Sequence, residues 1–226
     1  MLYSILFCVC LITANVLETK QISFGPANMT AGLIVFPVSY ILNDVVCEVW
    51  GYGRTRLLIW IGFAMNFLFV IFGAIADWIP GAPYWNGDEG FHQRFCLAPS
   101  IAGASFLSFI CGSFMNAYVM SRMKLSTQDK RTASGGFAKN FSARAVMSTI
   151  FGELTDSIIF FPLALGGVIP WEEMPSLVIT QVTIKTLYEI VALPLTIRVV
   201  KFTKAHDHED VFDRDITYNI FKINKL

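Results

Sequence analysis

The stretch YILNDVVCEVWGYGR, residues 40–54, decides how the rest of the chain is read. Tyr40, Asp44 and Glu48 recur every fourth residue, so on a helix they share one face, with Asn43 beside them. The run leading into them, AGLIVFPVSYIL, is almost wholly apolar. Residues 29–50 are long enough to cross a bilayer as one helix, which takes about 20 residues. A carboxylate inside such a helix costs about 2.5–3.5 kcal/mol on insertion scales. Two of them on one stripe belong against protein or water, not lipid.

Composition points to a bilayer as solvent. The chain has 226 residues, 54% hydrophobic and only 15% charged, where a soluble domain carries about 25% charged residues. Its mean hydropathy is +0.56. The formal net charge is zero, which removes the global electrostatic argument for a nucleic-acid partner. Five cysteines, at 8, 10, 47, 96 and 111, form no C-x-x-C pair and read as small apolar fillers. No metal or cofactor is expected. The N-terminal MLYSILFCVCLITANVLETK lacks the basic start of a signal peptide and reads as a retained first span.

Six spans are expected, at about 2–17, 29–50, 57–79, 97–121, 143–169 and 175–200, so the fold class is an all-α polytopic membrane bundle. Residues 1–200 form the transporter-sized unit and 201–226 a polar tail, whose HDHED run reads as a solvated charge run rather than a metal site. Residues 80–96 read as an interfacial loop and 122–142 as a basic one. Of the 17 Lys and Arg residues, leaving aside Lys185 inside the sixth span, fourteen fall at or near the face shared by the termini and two, Lys20 and Arg94, on the other. That bias places both termini in the cytoplasm.

Polar stripes recur in two further spans. Thr149, Glu153 and Asp156 align in the fifth, and Gln181, Lys185 and Glu189 in the sixth. Bringing the three stripes together would set five carboxylates, Asp44, Glu48, Glu153, Asp156 and Glu189, against one ammonium, Lys185. The bland reading is interhelical glue worth about 0.6 kcal/mol per contact, and Asn15, Asn66 and Asn116 are taken that way. The carboxylate excess is not needed for glue. An unpaired carboxylate in low dielectric takes up a proton or finds a cation, so a donor-rich or cationic substrate, or a coupling proton, is expected there. Pro37, Pro162 and Pro194 are read as kinks in the second, fifth and sixth spans. Ala104, Ser108 and Gly112 form a small-residue seam. Arg54 and Arg144 serve either headgroups and topology or a gate with Glu48; both readings stay open.

Rival chemistries find little support. No G-x-x-x-x-G-K-[ST] phosphate loop is present, nor H-E-x-x-H, nor G-x-S-x-G. The GxGD context of membrane aspartyl proteases is missing, and all three histidines lie outside the spans. The chain is read as a transporter, not an enzyme. Its energy source stays open between proton coupling, facilitated diffusion with trapping, and an ATPase partner; its oligomeric state is equally open.

Five stretches carry a family resemblance: ANVLETKQI (14–22), YILNDVVCEVWGYGRTR (40–56), NAYVMSRMK (116–124), RAVMSTIFGELTDSIIF (144–160) and TIKTLYEIVALPLTIRVVK (183–201). They resemble the queuosine precursor transporter family, also called the vitamin uptake transporter family. The resemblance implies a multi-pass protein of the bacterial inner membrane importing 7-deazaguanine bases, such as preQ0 and preQ1, for tRNA modification. The alternative is another vitamin-like heterocycle or an organic cation. A deazaguanine offers adjacent N–H donors to a carboxylate, an oxygen that needs a donor, and a flat ring. The substrate-binding set expected for it is Asn43, Asp44, Glu153, Asp156, Lys185, Glu189 and Gln181, with Tyr40 or Tyr188 as the aromatic partner. Glu48, Arg54 and Arg144 are the expected gating or proton-coupling set.

Overall fold

A computed structural model describes residues 1–18, 20–24, 27–95, 99–128, 137–166, 170–172, 174–214 and 216–221. The helices are α1 (Leu2–Glu18), α2 (Phe36–Trp78), α3 (Asp88–Phe95), α4 (Pro99–Gln128), α5 (Phe137–Leu165) and α6 (Met174–Asp207). Between α1 and α2 stand a short antiparallel hairpin, β1 (Gln21–Phe24) with β2 (Ala27–Thr30), and a 3-10 turn, Ala31–Ile34. The span expected from residue 29 thus starts as helix only at Phe36. Pro37 does not kink it: it sits in the first turn, where a helix has no use for the missing N–H. Pro162 and Pro194 do lie inside α5 and α6.

The 43 residues of α2 would reach about 65 Å at 1.5 Å per residue, more than a bilayer with its headgroups, about 45 Å. The chain resolves this at Gly51, whose φ of 81° and ψ of 175° are not helical. Packing against α1 shows that the two arms, 36–50 and 52–78, fold back on each other. Tyr3 meets Trp50 edge-on at 5.4 Å, and Phe7 and Leu11 pack with Leu42 and Val46, so the first arm runs antiparallel to α1. A Cβ on Gly62 would strike Phe7 at 2.4 Å, and Asn15 donates to Asn66 at 2.5 Å, so the second arm runs parallel to it. With α1, α4, α5 and α6, the two arms make six membrane helices around one core. Asn15 and Asn66, read as glue, bond each other.

Helices α4 and α5 approach most closely where Gly112 faces Gly152. A Cβ on Gly112 would lie 2.9 Å from the Gly152 carbonyl oxygen and 2.9 Å from Asp156 Cβ. Ala104 and Ser108 are buried along the same seam. Helix α6 is the most peripheral; Leu187, Val191, Leu195 and Phe202 point outward, as a lipid-facing side requires.

Two expected loops are partly helical: 88–95 forms α3, where Asp77 and His92 pair at 2.7 Å, and α4 extends to Gln128. The centre of the expected basic loop, 129–136, lies outside the described residues. The larger correction is the tail. Helix α6 runs through Asp207 and ends at His208, whose φ of 55° turns the chain back. The segment after it does not sit in solvent but lies across the basic face of the bundle. The Val211 N–H donates to the Val49 carbonyl at 3.0 Å. Asp213 accepts from the Tyr52 N–H at 2.9 Å and from the Ser121 hydroxyl at 2.6 Å. Arg56, fully buried, donates to the carbonyls of Thr217 and Asn219, and Trp60 to that of Ile220. Asp213 thereby caps the second arm of α2 just past the turn, satisfying a main-chain donor that a helix start leaves open.

Candidate functional site

The first arm of α2 carries Tyr40, Asp44 and Glu48 one turn apart, and each meets a different set of partners. They define three tiers about 6 Å apart along the arm.

At the upper tier, α6 presents Lys185. Its ammonium lies 2.5 Å from Glu153 and 3.6 Å from Asp156, both on α5, and 4.5 Å from the centroid of the Phe36 ring. Two carboxylates and an aromatic face around one cation are what a lysine needs when water is excluded. Tyr40 packs against the Gly112–Gly152 crossing: Cβ atoms built there would fall 3.0 Å from its hydroxyl and 3.3 Å from its ring. Its hydroxyl has no hydrogen-bond partner among the described residues.

At the middle tier, the Asn116 amide on α4 donates to Asp44 at 2.8 Å. Glu189, on α6, brings its carboxyl up to that of Asp44, with Thr149 of α5 alongside. Asn43 donates to the Ser113 carbonyl at 3.4 Å. Among the described residues the Asn43 and Asn116 side-chain oxygens, Glu189 Oε2 and the Thr149 hydroxyl are buried with no hydrogen bond of good geometry. Each such atom costs about 1–3 kcal/mol of desolvation left unmet, and native structures hold few of them. Four share this layer, with the Tyr40 hydroxyl above it and Glu48 Oε2 below.

At the lower tier, Glu48 is buried between Arg144 of α5 at 2.8 Å and Lys204 of α6 at 2.7 Å. Lys204 also binds Asp210 at 2.9 Å, and Asp210 binds Lys124 of α4 at 2.8 Å. Lys124 also donates to the carbonyls of Glu48 and Val211. The tail is therefore tied to the tier below Asp44 by an ion network that spans four helices.

Three sequence expectations change. Glu48 does not join the carboxylate excess, because two cations neutralise it; four carboxyl groups against one ammonium remain above it. Arg54 does not reach Glu48: it follows the Gly51 turn onto the second arm and pairs with Glu209 at 2.9 Å on the surface. In the HDHED run His206, Asp207 and His208 are exposed, while Glu209 and Asp210 are ion-paired at the surface. Tyr188 is more than one-third exposed and its hydroxyl donates to the Ile34 carbonyl at 3.4 Å. With Glu189 turned inward, its neighbour stands about 100° away on the helix. Phe36 and Tyr40 are the aromatic groups at the site. Gln181 is half-buried one turn from Lys185, and no hydrogen bond among the described residues draws it in.

Sequence reasoning missed Asn116, Lys204 and the tail. Asn116 extends the Ser108–Gly112 seam by one turn, so the signal was present. Lys204 continues Thr196 and Val200 at four-residue spacing but lies beyond the expected end of the sixth span.

Comparison with known proteins agrees with this architecture. Residues 30–199 match the family model described as putative vitamin uptake transporter. The chain is 23% identical over 188 residues to a probable queuosine precursor transporter of Bacillus subtilis (strain 168), covering 81% of this chain and 76% of that protein. It is 22% identical over 160 residues to the queuosine precursor transporter of Escherichia coli (strain K12), covering 70% of this chain and 66% of that one. No solved structure matches.

Proposed function

Because the chain belongs to the putative vitamin uptake transporter family, we propose that this multi-pass membrane transporter imports queuosine precursors across the bacterial inner membrane. The substrates are 7-deazaguanine bases, the cyano form preQ0 and the aminomethyl form preQ1. Two relatives carry the corresponding names. The single observation that supports the chemistry is the buried set of four carboxyl groups, of which Glu153 and Asp156 share one ammonium, Lys185, and Asp44 and Glu189 have none. A cationic or donor-rich heterocycle meets that set's need for donors.

The roles divide by tier. Glu153 or Asp156 accepts the paired N–H donors of the ring, Lys185 donates to its oxygen, and Tyr40 with Phe36 covers its face. Asp44 and Glu189 receive the substituent or a coupling proton; two carboxyl groups facing each other away from water are held together by a proton rather than by two charges. Glu48 with Arg144 forms the gate toward the basic face.

Uptake into reconstituted vesicles tests this reading. Labelled preQ0 and preQ1 accumulate unchanged in wild-type vesicles, compete with each other, and are not displaced by unrelated heterocycles or organic cations. Glu153→Gln and Asp44→Asn abolish uptake while leaving the protein inserted. Normal uptake in both variants removes the site, and uptake of another solute instead removes the substrate.

A further inference from the structure

Asn116 bonds across helices, as Asn15 does, but with a different balance. Asn15 gives its N–H to the Asn66 carbonyl oxygen at 2.5 Å, a bond between two amides. Asn116 instead gives its N–H to Asp44 at 2.8 Å and keeps its carbonyl oxygen without a partner among the described residues, although the residue is fully buried. Helices α4 and α5 close on its stem: a Cβ on Gly152 would lie 2.9 Å from Asn116 Cβ. Asn43 repeats the pattern, giving its N–H to the Ser113 carbonyl and holding its own oxygen without a partner. A main-chain carbonyl accepts only, so the amide of Asn43 can face it one way. With the shared proton on Glu189, Asp44 accepts only and orients Asn116 by the same rule.

Resting on the transport reading above, we propose that Asn116 positions Asp44 and, with Asn43, supplies neutral carbonyl acceptors for the second N–H of the 2-amino group, the one that Glu153 or Asp156 leaves open. The carboxyl takes the paired donors and the amides add discrimination for the 2-amino group. A site built to accept hydrogen bonds rejects a ligand that lacks the donors, because its buried acceptors stay unmet.

The test compares preQ0 with its analogue lacking the 2-amino group, in vesicles bearing wild type, Asn116→Ala or Asn43→Ala. Wild type favours the amino base by about tenfold or more in kcat/KM. In Asn116→Ala that ratio falls toward one and kcat drops as Asp44 loses its clamp. Asn43→Ala lowers the ratio through KM, and it carries the test even where Asn116→Ala does not insert. Wild-type ratios in the variants overturn the proposal while the transport reading stands. Wild-type vesicles taking up neither base overturn both.

Different atoms carry a second inference. Residues 209–214 and 216–221 lie across the basic face below Glu48. They are held by Asp213 on the Tyr52 N–H, by Arg56 and Trp60 on three of their carbonyls, and by Asp210 between Lys124 and Lys204. The Tyr218 ring packs edge-on to Tyr118 of α4 at 4.9 Å. We infer that this segment is a latch that must lift from α4 for cargo to leave by the basic face. In a chain with its five cysteines changed to alanine, Tyr118→Cys and Tyr218→Cys are joined by oxidation or a short bis-maleimide. The reduced protein transports; the joined protein still binds cargo but its turnover falls at least tenfold, and reducing the disulfide restores it. Equal turnover in both states overturns the latch.

Discussion

At the scale of single residues, what matters is which polar groups were given partners and which were not. Glu48 is the ion-paired case. Arg144 and Lys204 both bind its Oε1, while its Oε2 has no hydrogen-bond partner among the described residues. Removing one partner of a buried ion pair costs about 3–5 kcal/mol, because the survivor is left without its counter-charge. Lys204 remains in Arg144→Gln, so the loss falls at the lower end, about 3 kcal/mol. The double variant Glu48→Gln/Arg144→Gln loses less than the two singles summed. Thermal unfolding in detergent measures the cycle, and strict additivity of the two losses argues against a shared pair. Asp44, Glu153, Asp156, Lys185 and Glu189 were visible in the sequence because a charge inside an apolar run always asks for an explanation. Asn116 was visible too but was taken as glue, since an amide costs far less to bury than a charge. Its donor bond to Asp44 depends on α4 and α2 meeting, which spacing along one helix does not reveal.

At the scale of elements, hydropathy and length were enough to find six membrane crossings, and charge spacing found the inward stripe of three of them. The ends were harder. The second span begins late because residues 21–30 pair as a hairpin, and strand pairing ten residues long leaves no helical period to read. The turn between the second and third spans rests on Gly51, which combines positive φ with extended ψ. That region is essentially closed to side-chain-bearing residues and costs them about 1–3 kcal/mol. Space is also lacking, since a Cβ there would sit 2.6 Å from the Asp213 carboxyl oxygen. Gly51→Ala is therefore expected to lose the backbone cost and the Asp213 cap together, lowering the unfolding midpoint more than Asp213→Ala does. Asp213→Ala removes the helix cap, worth about 1 kcal/mol, and the bond from the Ser121 hydroxyl, but leaves the backbone of the turn unstrained. Equal midpoints for the two variants run against the turn having the conformation described.

At the scale of the whole molecule, the charge asymmetry that orients the chain also builds its closed end. The arginines and lysines that the positive-inside rule counts as topology signals include Arg56, Lys124, Arg144 and Lys204, and all four are buried or half-buried. They hold Glu48 and the tail rather than headgroups. Composition read them correctly as a cytoplasmic majority but could not show the tail beneath them, because its attachments run largely through main-chain carbonyls that every residue possesses. The latch has a definite pH signature. Burial alone would raise the Asp210 carboxyl, but hydrogen bonds and charges from Lys124 and Lys204 outweigh it, and the net shift is downward. A carboxyl lowered on folding adds stability above its ordinary range, near 3.9, and loses it only as pH falls through the lowered value. Asp210 is therefore ionised throughout pH 5–8, and the latch holds equally across that window. A cysteine at 218 should react with a maleimide at the same slow rate from pH 5 to 8, after correction for thiolate content, and faster below about pH 4. Asp210→Asn should raise the rate at every pH without adding a step inside the window. Uptake that varies with pH between 5 and 8 in wild type and in Asp210→Asn alike then belongs to the membrane-embedded carboxyl groups, as proton coupling through Asp44 and Glu189 requires. A step that disappears in Asp210→Asn assigns the pH dependence to the latch instead.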